Sequence, residues 1–78
     1  MSVIIYTTPS CSYCTMAKNW FNQNKIKYTE YNVARDMRKA DEMVRKSGQM
    51  GVPVTEIDGK DIVIGFDKDK LKKLLDVK

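Results

Sequence analysis

Two cysteines three positions apart, Cys11 and Cys14 in "YTTPSCSYCTMAKNWF", are the only cysteines in a chain that has no histidine. Such a pair can be a structural staple, part of a metal site, or a redox couple. As a staple it is poor, because a disulfide stabilises mainly by removing loop entropy from the unfolded chain, and this loop is tiny. A structural zinc site wants four nitrogen or sulfur donors; here carboxylates or a second chain would have to complete the set. Thiol–disulfide exchange asks only for what is present. One thiolate attacks a disulfide, and a nearby second thiol attacks the mixed disulfide that results.

That chemistry depends on where the pair sits. "SVIIYT" is an apolar run of strand length, rich in β-branched and aromatic residues, and reads as a buried central strand. "TPSC" is punctuation, and from Ser12 onward Tyr13, Ala17, Trp20, Phe21 and Asn24 follow helical spacing until "NQNK" ends it. Cys11 therefore falls at or just before a helix start, and Cys14 about one turn into it. First-turn N–H groups lack intrahelical partners, and the helix dipole favours an anion beside them. A thiol so placed has its pKa lowered from roughly 8.5 into the range of about 3.5–7.5. Cys11 is the expected nucleophile and Cys14, deeper in the helix, the resolving thiol.

The remaining elements must hold this junction. "KYTEYNV" alternates and reads as a second strand with one face more exposed; "ARDMRKADEMVRKSG" reads as a second helix. Met37, Ala40, Val44 and Ser47 share one stripe of it, Asp41–Arg45 and Glu42–Lys46 are favourable i,i+4 pairs, and Gly48 supplies the stop. After the loop "QMGVP", the runs "VTEI" and "KDIVIG" flank Asp58-Gly59, a hairpin signal. Asp67 is a plausible N-cap for a last helix with Leu71, Leu74 and Leu75 on one side. The order β-α-β-α-β-β-α predicts an α/β domain spanning residues 1–78. Its first two strands are parallel through a right-handed crossover, the hairpin is antiparallel, and helices flank the mixed four-stranded sheet. Trp20 and Phe21 read as core, and Met37, Met43 and Met50 as fillers or surface residues rather than a cofactor box.

Bulk properties narrow the class. Seventy-eight residues make one small domain, and 42% hydrophobic residues are enough to attempt a core. "MSVIIY" has too short an apolar run, and no basic region, for a signal peptide; no segment approaches the length of a membrane span. The reading is a soluble cytoplasmic monomer in a reducing compartment, where spaced cysteines are more often catalytic or metal-binding than structural. The net charge of +4 comes from 14 basic and 10 acidic residues interleaved along helices, which suits solvated faces better than a nucleic-acid surface. A mild positive field would favour acidic substrates.

"YTTPSCSYC", a helix, then "GVP" and "GFD" together resemble the glutaredoxins, within the thioredoxin fold, over essentially the whole chain. The family's usual motif is Cys-Pro-Tyr-Cys, so Tyr13 matches and Ser12 departs; Ser lacks the fixed φ that suits proline to a first helical position. Val52-Pro53 matches a proline that is cis in the family, where the backbone before it pairs with the peptide-like part of glutathione. Gly51 stands where the family usually has Thr, a swap expected to be tolerated. Gly65, Phe66 and Asp67 match a turn whose N–H groups and Asp hold the γ-glutamyl end, although capping alone also explains Asp67. Gln49 matches a Gln or Arg that can reach the glycine carboxylate. Thr8 stands where the family commonly has a Lys, and Lys18 is a nearby basic residue that could substitute.

The resemblance implies a glutathione-dependent thiol–disulfide oxidoreductase. It would reduce protein or glutathione mixed disulfides, with glutathione as co-substrate and neither a bound cofactor nor a metal. Two alternatives stay open. One is a small redoxin reduced directly by a flavin-dependent reductase and serving ribonucleotide reductase or a peroxidase. The other, kept open by Ser12, is a dimer bridged by an iron–sulfur cluster.

Overall fold

The computed structural model describes residues 1–77. β1 (Val3–Thr7) runs through the middle of the sheet, buried throughout except for half-buried Ile4. It pairs in parallel with β2 (Thr29–Asn32) and antiparallel with β3 (Val54–Ile57), which pairs antiparallel with β4 (Asp61–Ile64). The strand order is β2-β1-β3-β4. A strand with neighbours on both edges and helices on both faces has no solvent side, which is why β1 reads as an unbroken apolar run. The parallel β1–β2 pair is joined through α1 (Ser12–Gln23), the crossover that parallel strands require.

Alternation along β1 sorts two cores. Val3 and Ile5 pack with Ala17, Trp20 and Phe21 of α1, with Ile57 and Val63, and with Leu71 and Leu75 of α3 (Lys68–Leu75). Tyr6 belongs to the other face, with Val54 and with Met43 of α2 (Met37–Ser47), flanked by half-buried Ile4, Tyr31, Val44 and Ile62. Helices α1 and α3 therefore cover one face and α2 covers the other. The expected architecture is the observed one.

Polar contacts tie α2 to its face. The Tyr6 hydroxyl donates to Glu42 Oε2 at 2.7 Å, and Lys46 Nζ lies 2.8 Å from the buried carboxylate of Glu56 on β3. Burying Glu56 without that ammonium would leave an uncompensated charge, so the ion pair fixes the C-terminal half of the helix. The expected Glu42–Lys46 pair is long, at 3.9 Å, whereas Asp41 and Arg45 form no ion pair among the described residues.

Three details differ from the sequence reading. α2 starts at Met37, not near Ala34: Asp36 is the N-cap, accepting from Lys39 N–H at 3.1 Å, and the Asn32 side chain holds a turn by accepting from Ala34 N–H. Met37 is exposed, and Met43 takes the core position instead. Tyr13 is exposed too, so the inward stripe of α1 begins at Cys14. The hairpin forms around Asp58-Gly59 as expected: Ile57 pairs with Asp61, the three residues Asp58 to Lys60 connect them, and Asp58 (φ 56°) and Gly59 (φ 68°) both take the left-handed conformation that tightens the turn.

Candidate active site

Cys11 is itself the N-cap of α1. Its backbone is extended (φ −94°, ψ 110°), and its Sγ accepts a hydrogen bond from Cys14 N–H at 3.0 Å. Sulfur thus occupies the position where a Ser or Asp oxygen ordinarily satisfies a free first-turn donor. Cys11 is half-buried, whereas Cys14 is 1% exposed and lies among the residues that α1 turns inward. The two are joined as a disulfide with their Cα atoms 5.2 Å apart, so the pair is described in its oxidised form. The exposure difference is the asymmetry expected of attacking and resolving thiols.

The other expected segments converge here. The Val52 carbonyl oxygen lies 3.8 Å from Cys11 Sγ, and the Val52-Pro53 peptide bond is cis, as the family resemblance implies. The Pro53 carbonyl accepts from Gly65 N–H at 2.8 Å, which fastens the "GFD" turn to the proline loop. Gly65 has φ 75°, a conformation that suits glycine. Phe66 places its ring against Trp20, centroids 6.4 Å apart in an edge-on arrangement, and so anchors the turn to α1. Asp67 is the N-cap of α3, its Oδ1 accepting from Lys70 N–H at 3.2 Å. Tyr13 stands exposed beside the pair in the first turn of α1. Cys11, Val52-Pro53 and the turn from Gly65 to Asp67 are brought to one end of the sheet from three separate stretches of chain.

Two expected contacts with glutathione meet side chains already engaged. Lys18 Nζ is 2.9 Å from Glu30 Oε2, so the lysine that could stand in for the one missing at Thr8 is paired. The same oxygen accepts from the buried Thr7 hydroxyl at 2.6 Å. That hydrogen bond, then the Lys18 contact, hold the Glu30 carboxyl below the usual carboxylate range. Gln49 turns its carboxamide onto its own loop: Oε1 accepts from Gly51 N–H at 2.7 Å, and Nε2 donates to the Gly51 carbonyl at 3.0 Å.

Sequence reasoning missed the Thr7–Glu30–Lys18 group. The parallel register sets Ile5 beside Glu30 and Thr7 beside Asn32, so Thr7 and Glu30 share a face. The available signal was an acidic residue on the helix-facing side of an edge strand, with a lysine on the helix above.

A family model described as Glutaredoxin matches residues 3–62. The chain is 42% identical over 72 residues, 92% of its length and 95% of the relative's, to an uncharacterized glutaredoxin-like 8.6 kDa protein in the rubredoxin operon of Clostridium pasteurianum. The crystal structure of the thioredoxin-like protein BC3987, in a T8A mutant form, superposes with a TM-score of 0.91 at 27% identity, covering 99% of this chain and 97% of that one. NrdH-redoxin from Escherichia coli, a glutaredoxin-like protein described as having a thioredoxin-like activity profile, superposes with a TM-score of 0.79 at 30% identity, covering 95% of each chain. With a CxxC pair capping a helix beside a cis proline and a family match over most of its length, the chain belongs to the glutaredoxin family.

Proposed function

We propose that the protein is a dithiol oxidoreductase that reduces disulfides in proteins and in glutathione mixed disulfides. The observation that carries this reading is the unequal pair: Cys11 at the open helix N-terminus, and Cys14 buried one turn below. In the cycle, the Cys11 thiolate attacks one sulfur of the substrate disulfide, and the other sulfur leaves as a thiolate. Cys14, deprotonated, then attacks Cys11 Sγ. This forms the internal disulfide and releases the second substrate sulfur as a thiolate. Two electrons pass from the cysteine pair to the substrate, and the described disulfide is the end of that half-cycle.

Glutathione is the reductant of the first reading, since the Val52 edge and the α3 N-terminus lie where a tripeptide thiol could pair and leave its carboxylate. A second reading has a flavin-dependent reductase returning the electrons instead. It is favoured by the engagement of Lys18 with Glu30 and of Gln49 with Gly51, which leaves two expected carboxylate contacts occupied. The deciding experiment measures reduction of insulin and of a glutathionylated peptide, with glutathione plus glutathione reductase set against thioredoxin reductase plus NADPH. Turnover with the first pair supports glutathione, and turnover only with the second supports the reductase. Failure with both, in protein shown to be folded, would remove the oxidoreductase reading.

A further inference from the structure

Between α2 and the cis proline, the chain carries hydrogen bonds that the redox chemistry does not use. Ser47, the last residue of α2, donates its hydroxyl to the Met43 carbonyl at 2.7 Å. Gln49 Nε2 lies 3.3 Å from the same Oγ and donates there as well as to the Gly51 carbonyl. Oε1 takes the Gly51 N–H. The carboxamide thereby pairs with both polar groups of Gly51, as a neighbouring strand would, while its second N–H points back to the helix end. Turning the amide over would set oxygen against carbonyl and N–H against N–H, so the orientation is fixed by its partners.

This arrangement exists because residue 51 has no side chain. A Cβ built on Gly51 would stand 2.8 Å from Gln49 Oε1 and 3.9 Å from Gln49 Cδ, and among the described residues beyond its two chain neighbours it meets no other heavy atom within 4 Å. A side chain at position 51 would therefore evict the carboxamide and disturb little else. Gly51 thus leaves the space that the Gln49 carboxamide fills.

We propose that Gln49 is a positioning residue, a strut that fixes the Gly51–Val52 peptide and so aims the Val52 backbone at whatever docks on Cys11. The Gly51 carbonyl and the Val52 N–H belong to one planar peptide unit, so holding the first sets the direction of the second. Val52 is the residue whose own carbonyl lies beside Cys11 Sγ. Through Ser47 the strut extends to α2, which Lys46–Glu56 and Tyr6–Glu42 fasten to the sheet. Gln49 then acts on substrate alignment without touching the substrate. The assignment rests on the reading that disulfide substrates pair with the Val52 backbone.

Two kinds of measurement test it separately. Amide hydrogen exchange reads the strut without turnover: the Gly51 N–H should be protected in the native protein and exchange at least tenfold faster in Gln49→Ala, as expected when a protecting acceptor is removed. An unprotected Gly51 N–H in the native protein overturns the strut. Kinetics use two disulfide substrates, glutathione disulfide and the disulfide of a cysteine peptide with a C-terminal amide. Gln49→Ala should raise KM by about threefold to tenfold for both, with kcat largely kept, the size expected for one lost alignment contact. Gln49→Glu keeps the reach but puts an oxygen against the Gly51 carbonyl, and should behave like the alanine variant.

Gly51→Ala should raise KM to the same extent, and should add less than twofold in the Gln49→Ala background, because both changes remove one interaction. A KM effect confined to the carboxylate-ended substrate overturns the strut in favour of direct contact. Additive effects of the two substitutions, or native kinetics in Gln49→Glu, overturn it as well. Protection that depends on Gln49 in a protein that turns over neither substrate would uphold the strut and sink the oxidoreductase reading instead.

Discussion

Cys11 Sγ accepts the Cys14 N–H at 3.0 Å, so one reactive residue caps the helix turn that buries the other. The same first-turn donor that supports the internal disulfide is available to support a Cys11 thiolate once the bond is reduced. The chemistry predicted for the two residues is accordingly unequal.

Cys11→Ser should abolish reduction of every disulfide substrate. Cys14→Ser should lose protein disulfides yet keep deglutathionylation in the presence of glutathione, since an external thiol can do the resolving. Equal loss in both variants with a glutathionylated substrate would contradict the assignment of roles. Thiol titration of the reduced protein should place Cys11 below the roughly 8.5 of free cysteine; a value at or above it would remove the helix N-terminus as the activating device.

A second prediction concerns the Tyr6–Glu42 hydrogen bond that holds α2 on the sheet. The Glu42 carboxyl is held below its ordinary range, first by that hydrogen bond and then by Lys39 and Lys46. A carboxyl lowered on folding binds fewer protons in the folded state. Its contribution is therefore present above its unfolded pKa of about 4.3 and lost as pH falls through the folded value. Tyr6 is pushed well above the ordinary phenol range, chiefly by burial and then by Glu42. Its contribution is full below its unfolded pKa of about 10 and fades as pH rises toward the folded value. Urea unfolding across pH should show both arms, with Tyr6→Phe flattening the alkaline arm and Glu42→Gln the acid one. An unchanged alkaline arm in Tyr6→Phe would assign it to the lysines instead.

The third prediction is about stability alone. Thr55, on β3 beside Ile5 and Val63, is 1% exposed, and its hydroxyl has no hydrogen-bond partner among the described residues. An unsatisfied buried hydroxyl costs about 1–3 kcal/mol, and Val keeps the β-branched shape that the strand favours. Thr55→Val should raise the unfolding free energy by about 1 kcal/mol in urea titration. A loss of stability would mean that a buried water normally satisfies the hydroxyl.

The fold was readable from the sequence because its strong signals are local: the apolar run of β1, the Asp58-Gly59 turn, and the leucine stripe of α3. The start of α2 was misplaced because the Asn32 turn and the Asp36 cap compete for the same residues as the helical pattern around Arg35. The cysteine pair and the cis proline could be located by motif. What Gln49 and Lys18 do could not be read that way. Their partners, Gly51 and Glu30, are fixed by a loop conformation and by strand register, and neither follows from residue type.

The last prediction separates two duties of Asp67. As the N-cap of α3 it accepts from Lys70 N–H, and as the end of the "GFD" turn it is the residue expected to take the ammonium of a γ-glutamyl group. Asp67→Ala removes both and costs about 0.5–2 kcal/mol of stability through the cap alone. Asp67→Asn keeps a capping oxygen of the same reach but not the charge. If the carboxylate binds glutathione, both variants should raise KM for glutathione disulfide, by about tenfold, or about 1.4 kcal/mol. That is near the lower end expected for a charged hydrogen bond in an open groove. Only the alanine variant should lose stability. In the Cys14→Ser protein, adding oxidised glutathione should shift NMR signals at Tyr13, at Val52 and from Gly65 to Asp67 together. A KM unchanged in Asp67→Asn, with shifts confined to the neighbours of Cys11, would leave Asp67 as a cap only. The reductase-fed redoxin would then be the better account of the cycle.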